Sequence, residues 1–232
     1  MKLGIFSDIH GNMHAFEPIV ERLLRENCDT YIYLGDICGY YYDQNEVINR
    51  LRQMPRLQAV AGNHDVLFLR SLNNDYLLKD YTGKFGLSFQ LLKETITPEN
   101  LDFLRNLPES VVLENGTIGC FHGSPWHPLE EYVYVDYPME RFDELSYKLV
   151  LLGHTHRAID IRRPNLRVIN PGSAGQPRDG KWPTYAVYDT ETENLELKRV
   201  PFEIDDLIHE IKRRNDPNPY LIRVLNYIKD AY

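Results

Sequence analysis

Two histidines, His154 and His156, stand one residue apart directly after an apolar run in the segment LVLLGHTHRA. Side chains at positions i and i+2 of an extended backbone point to the same side, so both imidazoles face one place if strand geometry persists through Thr155. Two imidazoles aimed at one point are typical of a metal site. For this segment alone, a strand end with two solvated histidines is an equal alternative.

Other metal-capable side chains also follow predicted strands. Asp8 and His10 repeat the i, i+2 spacing after the first apolar segment of the chain. The remaining side chains of this kind are Asp36, Asn63, His64 and His122. In open α/β sheets the functional sites form beyond the carboxyl ends of the strands, so residues far apart in the sequence can converge there. The two histidines therefore have potential partners.

Crowding these acids and histidines together has an electrostatic cost. Without a cation their pKa values conflict, because like charges disfavour shared ionisation, and metal ions relieve that conflict. Imidazole, carboxylate and amide oxygen ligands without cysteine suit Mn²⁺, Fe, Zn²⁺ or Ni²⁺, and ligand type does not rank these metals. Seven such ligands are too many for one zinc ion but suit two metal ions that share one carboxylate. Asp36, alone at the end of its strand, is the natural bridge.

The first 65 residues alternate between predicted strands and helices. The strands are KLGIF, DTYIYLGD and RLQAVAGNHD, and the intervening helices are NMHAFEPIVERLLREN and QNEVINRLRQM. This order is a βαβ pattern and predicts a parallel sheet. The segment 66–107 is predicted to be helical, with Thr97 as an N-cap and Pro98 at the first helical position.

After residue 107 the pattern changes to strand pairs with tight turns. The segment SVVLENGTIGCFHG predicts a hairpin with Asn115 and Gly116 at its turn, and TYAVYDTETENLELKRV predicts another. Between them, KLVLLGH and LRVINPGS read as strands, and the stretch from Ile204 to Ile228 reads as two helices broken at NDPNPY. The chain has no internal repeat and no flexible linker. We therefore expect a single domain over residues 1–232, with a helical tail at 201–232 packed on it.

Composition narrows the classes of partner. The 232-residue chain has a formal net charge of −8, which argues against binding to long nucleic acids or anionic membranes. A phosphate-bearing substrate remains compatible, because bound cations would reverse the local field. The three cysteines lack CxxC spacing, which predicts reduced thiols. The N-terminal apolar run is too short for a signal peptide, so we expect a cytoplasmic protein.

Five segments together resemble, in order, the sequence blocks of the calcineurin-like metallophosphoesterase superfamily. They are SDIHGN, LGDICGY, AGNHD, FHGSP and LLGHTHRA. The segment VINPGSAGQPRDG that follows is similar to the small bacterial and archaeal phosphodiesterase branch of that superfamily. The resemblance implies an α/β fold in which two mixed β-sheets form a sandwich flanked by α-helices.

The resemblance also implies a centre of two divalent metal ions. One metal would be held by Asp8, His10 and His156. The other would be held by Asn63, His122 and His154. Asp36 would bridge the two metals. His64 would not be a ligand but would stabilise the transition state or donate a proton, and Asp65 would help to orient it.

The implied reaction is the hydrolysis of a phosphate ester, with a hydroxide that bridges the two metals as the nucleophile. The branch resemblance favours a phosphodiester over a monoester. The substrate would be a small phosphoester, and a nucleotide is one candidate. The alternatives are a phosphomonoesterase or protein phosphatase, and a non-catalytic interaction protein on the same fold. Whether the chain forms a homo-oligomer is left open.

Three further residues are candidates for substrate binding. Arg178 could reach a substrate phosphate, because guanidinium forks match phosphate oxygens. Tyr40 could stack on a nucleobase, and His127 lies in a loop that could shape the substrate pocket. The alternatives are a surface turn for Arg178, core packing for Tyr40 and a solvated loop position for His127.

Overall fold

Two mixed β-sheets of five strands each form the centre of the computed structural model, which describes residues 1–231. The strands are β1 (Lys2–Phe6), β2 (Thr30–Tyr33), β3 (Leu57–Ala59), β4 (Ser110–Leu113), β5 (Ile118–Phe121), β6 (Leu149–Leu151), β7 (Ala158–Arg162), β8 (Arg167–Pro171), β9 (Thr184–Asp189) and β10 (Leu195–Arg199). The first sheet has the order β10-β9-β1-β2-β3, and the second has the order β4-β5-β6-β8-β7.

The sheet of the first 65 residues is parallel from β1 through β2 to β3, as the sequence predicts. The antiparallel hairpin of β9 and β10 joins it along β1 and makes the sheet mixed. In the second sheet, β5, β6 and β8 are parallel, and β4 and β7 are antiparallel edge strands. The sequence analysis did not predict β7, whose segment AIDIR has only Ile159 fully buried.

Alternate residues of the first sheet face two different cores. Leu3 and Ile5 face the second sheet and pack with Ile118 and Leu151, so the two sheets lie face to face. Phe6 and its neighbours on the other face pack under the helices. The outer face of the second sheet is covered by a loop and a short 3₁₀ helix at Met139–Glu144. The predicted α/β sandwich of two mixed sheets with flanking helices is confirmed.

The helices are α1 (Met13–Arg25), α2 (Gln44–Arg52), α3 (Asn63–Ser71), α4 (Asp75–Phe85), α5 (Ser88–Thr95), α6 (Pro98–Arg105), α7 (Ile204–Arg213) and α8 (Tyr220–Lys229). Thr97 caps α6, as predicted, because its side chain accepts from the Asn100 N–H at 3.2 Å. The C-terminal helices α7 and α8 pack on Tyr40 and Tyr41. Within residues 1–231, no helix is both long and apolar enough to cross a membrane.

Candidate metal centre

The metal-capable residues lie beyond the strands and not on them, most of them in loops, whereas Asn63 and His64 begin α3. Strand β1 ends at Phe6 and β6 ends at Leu151. Asp8, His10, His154 and His156 have φ angles of 56°, 52°, 68° and 57°. The expectation of an extended backbone through the two i, i+2 pairs is therefore wrong. Aspartate and histidine enter this left-handed region more readily than most residues, although it still costs free energy.

One group of four buried side chains consists of Asp8, His10, Asp36 and His156. The Nε2 atoms of His10 and His156 are 3.1 Å apart. His156 Nε2 lies 3.3 Å from Asp8 Oδ1, and His10 Nε2 lies 3.6 Å from Asp36 Oδ2. Each side chain offers at least one ligand atom to the same small volume.

The second group is formed by Asp36, His122 and His154, with Asn63 beside them. His122 Nε2 lies 3.3 Å from Asp36 Oδ2, 3.1 Å from His154 Nδ1 and 3.0 Å from Asn63 Oδ1. Asp36 is thus common to both groups. His154 and His156 are nearly adjacent in the sequence but belong to different groups, which is how the family resemblance divides them. The expectation from the i, i+2 spacing that both face one place is not met.

Hydrogen bonds fix the orientation of three imidazoles. The Nδ1 atoms of His10, His122 and His156 lie 2.7, 2.6 and 2.6 Å from the backbone carbonyls of Cys38, Leu34 and Gln176. Because a carbonyl can only accept, each Nδ1 carries a proton, and Nε2 is the atom through which each imidazole can bind a cation. Metal-ligating histidines are commonly held in this way.

Two carboxylate oxygens test whether a cation fits this arrangement. Asp8 Oδ1 and Asp36 Oδ2 are buried and have no hydrogen-bond partner. Buried acceptors that face one another and the imidazole lone pairs are costly without a positive partner. A divalent cation would satisfy these atoms together, so the residues fit a metal ion in each group.

The loop that carries Asp36 is held close to the start of α3. Asp36 Oδ1 accepts from the His64 N–H at 2.8 Å, which leaves Oδ2 for the two groups. Gly62 is required between them, because a Cβ atom at that position would collide with the Asp36 carboxylate. The shared carboxylate is therefore fixed by the backbone.

Burial and neighbouring charges drive the pKa values of the site apart. Burial raises the pKa of Asp8 to about 7. Burial disfavours the charged form of His122, but the nearby Asp36 carboxylate outweighs it and raises the pKa of His122 to about 9. Burial lowers the pKa of His154 to about 3 and holds the pKa values of His10 and His156 well below their usual range. Protons on Asp8 and His122 therefore compete with a cation near neutral pH.

We expect the affinity for Mn²⁺ to rise with pH. Below pH 7 both Asp8 and His122 must lose a proton before a cation binds, between pH 7 and 9 only His122 must, and above pH 9 neither must. The expected gain between pH 6 and 8 is roughly 1000-fold, because each displaced proton contributes about tenfold per pH unit, with two protons displaced up to pH 7 and one above it. Calorimetric titration of the metal-depleted protein in buffers of different ionisation enthalpy measures the affinity for Mn²⁺ and the number of protons released on binding.

A suitable control for this titration is His14→Ala. His14, Asp43 and Glu210 form a third, partly exposed group of metal-capable side chains. Glu210 already forms an ion pair with Arg214, with a closest distance of 2.7 Å. The pH-dependent binding should survive in His14→Ala, and binding without proton release in the unaltered protein would contradict the prediction.

Asp65 does not orient His64, contrary to the expectation. Its carboxylate accepts four backbone N–H groups. The donors are Gly62 at 2.9 Å, Asp36 at 3.1 Å, Ile37 at 2.9 Å and Cys38 at 2.9 Å. Three of these donors belong to the loop that carries Asp36, and the fourth, Gly62, is the N-cap residue of α3, so the Asp65 carboxylate ties that loop to the start of the helix. Asp65 is therefore a positioning residue for that loop and not a catalytic residue.

His64 lies beside the first group, and its Nδ1 is buried without a hydrogen-bond partner. The His64 ring centroid is 4.9 Å from that of His10 and 4.4 Å from that of Phe85. Burial lowers the pKa of His64 to about 4. The imidazole is therefore neutral at pH 7 and can donate one N–H without carrying a charge.

Arg178 and Tyr40 form one unit at the edge of the site. Arg178 Nη2 donates to the Tyr40 hydroxyl at 3.1 Å, and Nε is buried without a partner. No carboxylate within residues 1–231 lies within 4.0 Å of this guanidinium group. Tyr40 is only 7% exposed and packs edge-on against His10. The structure therefore places Tyr40 in the packed core, the alternative given for it above, with little of its ring exposed to a nucleobase.

His127 is not brought to the metal centre. Its side chain is exposed, and its imidazole belongs to neither group. Its backbone N–H donates to Ser124 Oγ at 3.0 Å, and its carbonyl accepts from the Ser124 N–H at 3.1 Å. The residue shapes the loop after β5 through its backbone only.

Sequence reasoning missed three aromatic residues that line the site. Phe85 contacts His64, Tyr220 of α8 lies 6.0 Å from Tyr40 between ring centroids, and the Tyr132 ring lies against His154. None of them is part of a recognisable motif. The one available signal was the density of tyrosines in the segment EYVYVDY after the FHGSP block.

The part of the chain that contains these residues is similar to known proteins. A family model described as a calcineurin-like phosphoesterase superfamily domain matches residues 1–193. The Methanocaldococcus jannaschii protein MJ0912 is 31% identical over 239 residues, which covers 93% of this chain and 93% of that protein. Phosphodiesterase YfcE of Escherichia coli is 25% identical over 202 residues, which covers 82% of this chain and 89% of that protein.

Among solved structures, a metallophosphoesterase from Sphaerobacter thermophilus superposes with a TM-score of 0.83 at 27% identity, and the match covers 98% of this chain and 99% of that chain. The matched family region contains every residue of the two groups and Arg178, whereas α7 and α8 lie beyond it.

Proposed function

The chain belongs to the calcineurin-like phosphoesterase superfamily, and from this premise we propose that it hydrolyses phosphodiesters at a centre of two divalent metal ions. The observation that carries the proposal is the position of Asp36 Oδ2. This buried oxygen has no hydrogen-bond partner and lies within 3.6 Å of His10 Nε2 and 3.3 Å of His122 Nε2, one from each group. A shared carboxylate is what a pair of metal ions requires.

The proposed ligands divide as the two groups do. Asp8, His10, Asp36 and His156 would hold one ion. Asp36, Asn63, His122 and His154 would hold the other. When bound, the ions would neutralise the phosphate under attack and lower the pKa of a water molecule shared between them. The donor set suits Mn²⁺, Fe, Zn²⁺ or Ni²⁺.

His64 and Arg178 would act on the phosphate oxygens. The neutral His64 imidazole would donate its N–H to a phosphoryl or leaving oxygen, an effect of about 10² to 10⁴ in rate for a positioned acid–base group. The Arg178 guanidinium group would bind a non-bridging phosphate oxygen. The Tyr40 hydroxyl, which accepts from Nη2, would fix the orientation of that guanidinium group. An arginine without an acidic partner is ready to receive an anion.

The preference for a diester rests on the name of one relative, which is called a phosphodiesterase. The intact ligand set argues against a non-catalytic interaction protein.

The direct test compares Mn²⁺-dependent hydrolysis of bis(4-nitrophenyl) phosphate and 4-nitrophenyl phosphate. We expect faster turnover of the diester, and loss of turnover after chelation of the metal. Faster turnover of the monoester would identify a phosphomonoesterase instead. Folded, metal-loaded protein that hydrolyses neither ester with Mn²⁺, Fe²⁺, Zn²⁺ or Ni²⁺ would favour the alternative of a non-catalytic interaction protein.

A further inference from the structure

The loop after β5 exposes aromatic side chains directly beside the metal centre. Tyr132 is 46% exposed and Tyr134 is 39% exposed, and Val135 next to them is 76% exposed. Most other tyrosines described in residues 1–231 are buried or partly buried. We refer to Tyr132 and Tyr134 as the tyrosine ledge.

The tyrosine ledge is continuous with the proposed ligands. The Tyr132 ring is stacked on the His154 imidazole, with centroids 3.8 Å apart and an interplanar angle of 27°. The Tyr134 ring is nearly parallel to that of Tyr132, with centroids 5.8 Å apart and an angle of 5°. The rings of His154, Tyr132 and Tyr134 therefore form one stack that extends outward from the edge of the metal centre.

The loop that carries the ledge is anchored on both sides. Between the two tyrosines, Val133 is 1% exposed and belongs to the hydrophobic cluster on the outer face of the second sheet. The Glu131 carboxylate accepts from Ser124 Oγ and from the Tyr137 hydroxyl at 2.9 Å. Because these contacts hold the backbone, the two rings are presented to solvent without a large loss of conformational freedom on binding.

We propose that the tyrosine ledge binds the nucleobase of the substrate, so that the phosphoesters hydrolysed here are nucleotides. This inference rests on the proposed function, because the phosphate must lie at the metal centre for the base to reach the ledge. Parallel aromatic rings suit a flat π-system, and every nucleobase has such a face. The net charge of −8 opposes the alternative of an anionic membrane surface.

The experiment uses two ligands that differ only in the base, adenosine 5′-monophosphate and ribose 5-phosphate. Their competitive inhibition constants are measured against bis(4-nitrophenyl) phosphate, and their dissociation constants are measured by calorimetry on Mn²⁺-loaded protein. We expect the nucleotide to bind more tightly by roughly 5- to 150-fold, the range for one base stacked on an aromatic side chain.

Tyr134→Leu should bring this ratio close to 1 while the affinity for ribose 5-phosphate stays unchanged, and Tyr134→Trp should preserve the ratio. Tyr134 is preferred to Tyr132 because it does not contact a proposed ligand. Tyr76→Leu is the matched control, because Tyr76 is an 82% exposed tyrosine on α4. A ratio near 1 in the unaltered protein, or a ratio that Tyr134→Leu leaves intact, would overturn the inference.

Two further outcomes are distinguishable. A ratio near 1 together with a self-association that Tyr134→Leu abolishes in analytical ultracentrifugation would assign the ledge to a contact between two copies of the chain and overturn the inference. The calorimetric ratio does not depend on turnover. Absence of hydrolysis with a retained base preference would therefore contradict the proposed function while leaving nucleotide binding at the ledge supported.

Discussion

Asp36→Asn abolishes phosphodiester hydrolysis, with an expected loss of about three orders of magnitude or more. The substitution keeps the size of the side chain and removes its negative charge. Asp36 is 1% exposed and is the one carboxylate common to both groups of metal-capable side chains within residues 1–231. An amide that replaces it cannot bridge two cations as a carboxylate does, so binding at both positions weakens.

Turnover and metal content together check this expectation. The kcat for bis(4-nitrophenyl) phosphate is measured with saturating Mn²⁺, and the bound metal is counted by plasma mass spectrometry after gel filtration. Asp43→Asn is the control, because Asp43 is a partly buried aspartate that lies in the third group, near His14 and Glu210, and not in the metal centre. We expect it to retain both activity and metal content.

Two results would contradict the role of Asp36. Full metal content with full activity in Asp36→Asn would exclude it as a bridge. Equal losses of activity and metal content in Asp36→Asn and Asp43→Asn would show that the effect is a general consequence of removing a buried charge. A circular dichroism spectrum that matches the unaltered protein would confirm that the variant is folded.

Asp65→Asn lowers the free energy of unfolding by an expected 3 to 5 kcal/mol, roughly the upper range for a single substitution. The Asp65 carboxylate is fully buried and accepts the N–H groups of Gly62, Asp36, Ile37 and Cys38. Burial raises the pKa of Asp65 to about 6, so the group is still ionised at pH 7.5. In the variant, an amide NH₂ replaces one oxygen and faces N–H donors that it cannot satisfy.

For a chain of this size, that loss corresponds to a fall in melting temperature of about 6 to 20 °C. Thermal unfolding at pH 7.5, followed by circular dichroism, measures it. Asp75→Asn is the matched control, since Asp75 also lies in the first turn of a helix but is exposed. It separates the loss of a helix-terminal charge from the loss of the four buried hydrogen bonds.

The same variant distinguishes positioning from catalysis. A positioning residue that acts through the Asp36 loop should lower metal affinity as well as stability, whereas a group that only transfers protons would change the pH profile of kcat and leave the melting temperature alone. A melting temperature within 2 °C of the unaltered protein would show that the four hydrogen bonds contribute little net stability.

Helix and strand periodicity, together with turn and cap residues, predicted most of the fold from the sequence. Leu3 and Ile5 alternate with Gly4 and Phe6 between two faces, and Thr97 before Pro98 marks the start of α6. These signals are local, because side-chain direction and capping depend on residues a few positions apart. The edge strand β7 was not predicted because its segment is short and only Ile159 in it is buried, and it pairs with β8, the next strand along the chain.

The residue types of the metal centre were also determined by the sequence, because only acids, histidines and an amide in these blocks can bind such metals. Which side chains meet was decided by the tertiary structure. Left-handed loop conformations place His154 and His156 in different groups, a division that the family resemblance implied but the i, i+2 spacing did not. Backbone N–H donors from the Asp36 loop and from Gly62 engage the Asp65 carboxylate, and packing buries Tyr40. Contacts such as that between His10 and His156 join residues 146 positions apart. Local sequence rules do not reach across that separation, because such contacts depend on loop backbone angles and on how the two sheets pack together.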